Sequence, residues 1–213
     1  MDDNKTIQTF EKLLGQRIVD INYIETKFHY GASGDWTTIN TDTIVLHSPE
    51  WEINFASGQK WFLTNTHTDA TEKEPAKSII TVNSFSIAKI EDKIHKAPRT
   101  FGWENIFDKE ITAIRFYKRV TRAKKIFGYE LSKAYQDNIQ IIQFFCSGKS
   151  FSITTMDGDI GQMDFYPTGY LGDKLGFFFD KTIVDSYTLY AKTTRELIMR
   201  MEMIYQTKKN NNR

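Results

Sequence analysis

The sequence predicts an α+β protein made of two related units, each an N-terminal helix followed by an antiparallel sheet with a hairpin, closed by a C-terminal helix. Three observations predict it. The first is a self-match: Phe10 to Tyr23 lies without gaps on Trp103 to Phe116, 93 positions on. Apolar side chains coincide at Phe10/Trp103, Leu13/Ile106, Leu14/Phe107, Ile18/Ile111, Ile21/Ile114 and Tyr23/Phe116. The second is a further match in the same order: Phe55 to Thr64 resembles Phe145 to Thr154, 90 positions on. The third is helical spacing near both ends of the chain, in Ile7, Phe10, Leu13 and Leu14 and again in Leu197, Ile198, Met201, Ile204 and Tyr205. A period near 90 exceeds a solenoid repeat and reads as a doubled small domain, with units at 1–95 and 96–213 that share one core or fold apart.

In the first unit, Asp2 or Asp3 caps the helix and Gly15 sits at its C-cap. A strand at Ile18 to Ile24 follows, then a polar Gly-containing stretch to Asp42 and a strand at Thr43 to Ser48. Trp51 to Phe55 and Lys60 to Asn65 form a hairpin around Ser57-Gly58, because glycine supplies the positive φ of a tight turn. An exposed loop spans 66–78, and Ile79 to Ile90 returns as one or two strands. The second unit repeats the order. A short helix runs from about Thr100 through Phe107, and a strand covers Ile111 to Tyr117. The hairpin is Ile139–Phe145 with Ser150–Thr155 around Ser147-Gly148. It then departs from the first unit in a Gly- and Asp-rich segment, Asp157 to Gly176, a buried strand at Phe177 to Val184, and a closing helix at Thr193 to Gln206 with a capping box in Thr193 and Glu196.

Composition narrows the function classes. The chain has 213 residues, 40% hydrophobic and 26% charged, which excludes bulk disorder. Lys plus Arg is 28 and Asp plus Glu is 27, for a net charge of +1, which argues against a dedicated nucleic-acid binder. One cysteine, Cys146, forbids an intramolecular disulfide. The N-terminal segment lacks the basic-then-apolar pattern of a signal peptide, and the longest nearly apolar run, Ile139 to Cys146, is far short of the roughly 20 residues a membrane span needs. A soluble cytoplasmic protein, with no membrane partner, is the expectation.

No catalytic, metal or cofactor set emerges. Cys146 lies in a strand pattern, IIQFFCSG, where a buried thiol behaves as a small hydrophobe. His29, His47 and His67 lack the close spacing of a zinc motif. Asp157-Gly158-Asp159-Ile160-Gly161 departs from the calcium-loop pattern and reads as a turn, and Gly169 to Gly176 lacks the order of a phosphate loop. Two surfaces remain as candidates. The first is acidic and aromatic: Asp157, Asp159, Asp164, Tyr166, Tyr170 and Asp173, where the second unit departs most from the first. Tyrosines there supply contact area and the carboxylates steer a basic partner. The second is basic: Arg115, Lys118, Arg119, Arg122, Lys124 and Lys125, flanked by aromatics as in single-strand binders, or else the guarded edge of a sheet.

The segments Leu14–Tyr23 with Phe55–Thr64, and Phe107–Phe116 with Phe145–Thr154, carry a shared pattern. It resembles small bacterial α+β domains, many uncharacterised and some immunity proteins of toxin–immunity pairs. The resemblance implies a partner-binding role and carries over no catalytic residue. The expectation is therefore a non-enzymatic, cytoplasmic protein-binding module, immunity-like, acting as monomer or homodimer on a protein such as a toxin. The alternatives are a small-ligand domain using an aromatic cleft between the units, and a nucleic-acid-associated protein acting through 115–125, the least favoured given the balanced charge.

Overall fold

Helix α1 (Asp3–Glu11) forms where the spacing places it, with Asp3 in its first turn, where the helix dipole favours an anion. Phe10 and Leu13 are buried, and Ile7 and Leu14 pack beside them. The chain then turns at Gly15, whose φ of 81° is left-handed and favours glycine. The computed structural model describes residues 3–25, 27–30, 33–36, 44–48, 50–68, 77–89, 92–99, 103–122, 125–126, 129–130, 135–156, 174–179 and 198–209.

After α1 come β1 (Ile18–Glu25), a two-stranded ribbon of β2 (Lys27–Tyr30) and β3 (Ser33–Trp36), β4 (Ile44–Ser48), β5 (Glu50–Phe55), β6 (Lys60–Thr68), β7 (Lys77–Asn83) and β8 (Lys93–Lys96). All but β2, β3 and β4 build a five-stranded antiparallel sheet in the order β7-β6-β5-β1-β8. A 3-10 turn at Trp103–Asn105 opens the second half. It is followed by β9 (Ile111–Arg122), a ribbon of β10 (Lys125–Ile126) and β11 (Tyr129–Glu130), β12 (Tyr135–Cys146), β13 (Lys149–Met156), β14 (Lys174–Phe178) and β15 (Ile198–Lys208). Apart from the ribbon, these form a six-stranded antiparallel sheet, β15-β9-β12-β13-β14-β4, whose last strand comes from the first half. The sequence boundary at 95/96 falls inside β8.

The two sheets share a strand plan: β1-β5-β6-β7 with β8 beside β1, and β9-β12-β13-β14 with β15 beside β9. Positions 93 apart behave alike in detail. Phe10 and Trp103 are both buried, as are Leu13 and Ile106. Gly15 has a φ of 81° and Asp108 one of 60°, Asp being among the few residues that tolerate the left-handed region. The backbone bonds are reciprocal: Gly15 N donates to Ile111 O at 2.9 Å, and Asp108 N donates to Ile18 O at 2.8 Å. Each first strand bulges at the same place, between Ile18 and Asp20 and between Ile111 and Ala113. The carbonyl each bulge frees is satisfied, Val19 O by Arg99 Nη2 at 2.8 Å and Thr112 O by Lys209 N at 2.9 Å.

The hairpins differ by one residue. Gly58, at φ 83°, closes β5–β6 over Ala56-Ser57-Gly58, with Phe55 N donating to Gln59 O at 2.9 Å. Cys146 pairs directly with Lys149, so β12–β13 turns on Ser147-Gly148 alone, at φ 47° and 85°. Two successive positive φ values suit a two-residue hairpin. The shorter turn shifts the equivalence. Cys146, not Phe145, occupies the place of Phe55, since Ile18 faces Phe55 and Ile111 faces Cys146.

Most buried apolar residues of both sheets and α1 form one cluster. Its centre is aromatic: Trp103 lies 4.7 Å from Phe177, Phe177 stacks on Phe151 at 4.8 Å, and Phe151 stacks on Phe144 at 4.8 Å. Phe10 meets Trp61 edge-on at 5.5 Å. Trp51 donates its indole N–H to Leu175 O at 3.0 Å, the partner a buried indole needs.

Three expectations are corrected. The fold class is not α+β: it is two antiparallel sheets with one α-helix among the described residues. The second unit's N-terminal helix is reduced to the 3-10 turn at Trp103–Asn105. Trp103, Ile106 and Phe107 are buried without it, so one turn suffices to seat them. The closing helix is absent over its described part, which is β15, antiparallel to β9 from Ile198 to Lys208. A short apolar run fits both periods, and the long free edge of β9 decides between them by supplying backbone partners.

Candidate partner-binding surface

The acidic surface expected from the sequence, Asp157, Asp159, Asp164, Tyr166, Tyr170 and Asp173, lies outside the described residues. In the chain it joins β13 to β14.

Part of the basic set can be placed. Arg115, Lys118, Arg119 and Arg122 are all on β9, Lys125 begins β10, and Lys124 lies outside the described residues. β9 is paired on both sides, with β12 and with β15. It is not a guarded sheet edge, which corrects that reading. Arg115 donates through Nε to Gln206 Oε1 at 2.9 Å and lies 4.6 Å from the Phe145 ring centroid. Lys118 is ion-paired with Asp3 of α1 and mostly buried. Both cations are committed to contacts within the chain.

Cys146 is fully buried, and burial pushes its thiol up to about 12. The thiolate, the reactive form, is scarce at neutral pH. A thiol reagent should label it far more slowly in the native protein than in denaturant. His95 stacks on Tyr23 at 5.2 Å. His29 is on β2, His47 on β4 and His67 on β6. Among the described residues no group of three or more His, Cys, Asp or Glu could hold a metal ion.

A different surface stands out, and the sequence reading missed it. β7 ends at Asn83, and the chain crosses towards β8 as a strap, Ser84 to Lys89, with no strand pairing. Phe85 is 68% exposed and Ile87 49% exposed. The strap is nevertheless anchored. Glu50, at the start of β5 and 2% exposed, accepts a hydrogen bond from Ser86 Oγ at 2.5 Å and another from Ile87 N at 2.7 Å. Ser86 Oγ also accepts from Ala88 N at 3.0 Å. A buried carboxylate needs such donors, and here they fix the backbone that presents two apolar side chains to solvent. β8 follows, with Ile94 64% exposed.

The alternation Phe85-Ser86-Ile87 is compatible with the one or two strands expected over 79–90, but the strand ends at Asn83. No local signal marks Glu50 as the anchor, because it lies 36 positions away from Ser86. No helix is long and apolar enough to cross a membrane among the described residues. Comparisons with protein-family models, curated proteins and solved structures find no match.

Proposed function

We propose that this chain is a non-enzymatic protein-binding module of the cytoplasm, immunity-like in that it holds a partner protein such as a toxin. The observation that carries the reading is the anchored strap. Exposed apolar side chains close together mark interaction sites more often than scattered ones do. Phe85 and Ile87 are held out by a backbone that the buried Glu50 fixes, so presenting them costs little further order on binding. The resemblance of Leu14–Tyr23 and Phe55–Thr64 to immunity-type domains supports the same direction.

The test is a paired capture. Wild-type protein and the double variant Phe85→Asp, Ile87→Asp are used as baits in the source cells, with thermal melting as the folding control. The expected result is a partner retained by the wild type and lost by an equally stable variant. Identical retention by both would overturn the reading. The immunity-like part is tested separately, by co-expressing the protein with the product of the neighbouring reading frame and measuring growth with and without it.

A further inference from the structure

Four strands end the two large sheets: β7 with 7 residues and β8 with 4 in the first, β4 with 5 and β15 with 11 in the second. β15 is the longest of them. β9 holds one of its sides, and no described strand holds the other. A long unpaired edge offers a row of main-chain N–H and C=O groups to a further strand. The stretch Ile198 to Ile204 contains no proline, and its two charges, Arg200 and Glu202, cancel. Met203, near its end, is 52% exposed.

The order of residues shows what this edge fits. Ile198-Met199-Arg200-Met201-Glu202-Met203-Ile204 reads alike from either end, except that the arginine is matched by a glutamate. The ladder with β9 is regular from Ile198 to Met203 and shifts only between Met203 and Tyr205. Strand alternation thus assigns Met199, Met201 and Met203 to one face, and Arg200 and Glu202 to the other. In an antiparallel pair, directly opposite residues share a face and interact. Two copies of β15 set edge to edge about a two-fold axis at Met201 bring Met199 opposite Met203 and Met201 opposite Met201. They bring Arg200 opposite Glu202 twice. Across β9, by contrast, Arg200 meets Val120, and Glu202 meets Lys118, which already pairs with Asp3. Moving the axis to Arg200 or to Glu202 sets like charges face to face, which opposes pairing.

We propose that the chain forms a two-fold homodimer by antiparallel pairing of β15 with β15 of a second copy, which joins the two six-stranded sheets into one. Main-chain bonds attach the copies, the Arg200–Glu202 pairs select the register, and the flexible thioethers fill the other face. Each copy contributes the same patch, as a two-fold interface requires. One strand pair is a small interface, so the dimer is a weak one. This goes beyond the protein-binding reading and does not depend on it. β15 edges the second sheet, whereas the strap joins two strands of the first.

The experiment is sedimentation velocity of the full chain from about 1 to about 200 μM, a span suited to a small, weak interface. The wild type should shift with concentration from 24.9 kDa towards twice that mass. Glu202→Arg and Arg200→Glu each turn two facing pairs into like charges, and each should weaken the dimer at least about tenfold. Mixed together, these two variants should associate again, because each supplies the charges that the other faces. The double variant Arg200→Glu, Glu202→Arg should associate on its own. Misfolding gives no such rescue, and melting temperatures check it separately. Met201→Cys provides a second measurement. Its thiols meet at the axis and should cross-link the dimer on mild oxidation, whereas Met199→Cys, which faces position 203, should not. A wild type that stays at 24.9 kDa throughout overturns the proposal. So does association indifferent to the charge reversals, or cross-linking that is equal at 199 and 201.

Discussion

The two sheets follow one strand plan and differ most on the faces turned away from their common core. In the first sheet that face is a ladder of polar pairs, buried at Glu50 and Thr64 and partly exposed around Glu52. Asn22 Nδ2 donates to Glu52 Oε2 at 3.2 Å, Lys60 pairs with Glu52 at 3.0 Å, Lys96 with Asp20 at 2.8 Å, and Asn83 Nδ2 donates to Thr64 Oγ1 at 2.9 Å. In the second sheet the register puts Arg115, Gln143 and Ser152 where Asn22, Glu52 and Phe62 stand in the first. There Ile141, Gln143, Ser152 and Thr154 are buried, and Tyr117 donates its hydroxyl to Gln143 Oε1 at 2.9 Å. The exchange of Glu52 for Gln143 follows from burial. A carboxylate is tolerated where water and a lysine reach it, and an amide replaces it where they do not. The second sheet is thus buried on both faces, while the first keeps Glu52 and its partners on a partly exposed face.

The largest effect should come from the core that both sheets share. Phe177 of β14 touches Trp51 of the first sheet at 5.2 Å and Phe151 of the second at 4.8 Å. Phe177→Ala removes a fully buried ring, at a cost of about 3–5 kcal/mol. Because its neighbours belong to both sheets, urea unfolding should remain one transition, shifted as a whole. Two separated transitions, with the first sheet unmoved, would break the picture of a common core.

The hairpins sharpen the comparison at a smaller scale. Gly58→Val and Gly148→Val should each cost more than about 1 kcal/mol, because valine resists positive φ. Neither glycine has an atom within 4 Å of where a Cβ would sit, so the loss measures backbone strain and not a clash. A neutral Gly148→Val would contradict the left-handed turn assigned to Ser147-Gly148.

What was legible in the sequence follows the same division. β5 alternates Trp51, Ile53 and Phe55 inwards with Glu52 and Asn54 outwards, and it has one open face. β12 reads as a nearly unbroken apolar run, IQIIQFF, and is buried on both. The hairpins, α1 and the first strand of each half were readable because their signals are local: a glycine, a cap, a short period. Three features were not. β4 leaves its own half to pair with β14, a choice set by a partner more than 120 residues on. β15 obeys a period that a helix also satisfies. The strap is anchored by Glu50, a contact across 36 positions. Each was decided by a distant partner rather than by the residues themselves.

The smallest effect concerns acid. Partial burial pushes the Glu52 carboxyl up, but hydrogen bonds from Lys60, Asn22 and Asn54 and the charge of Lys60 outweigh it, leaving it below the ordinary carboxylate value. A carboxylate held low in the folded state adds stability that is present at neutral pH and lost as the pH falls through its folded value. Glu52→Gln should therefore lower the melting temperature slightly at pH 7, with the difference shrinking below the unfolded value of 4.5 and vanishing once the pH is below the lower folded value. Gln143→Ala, at the equivalent place in the second sheet, should cost stability by the same amount at both pH values, since an amide side chain does not ionise and the variant loses the Tyr117 Oη–Gln143 Oε1 bond at either. A loss for Glu52→Gln that persists unchanged in acid would mean that its carboxylate acts by packing alone, and the electrostatic contrast between the two outer faces would fall with it.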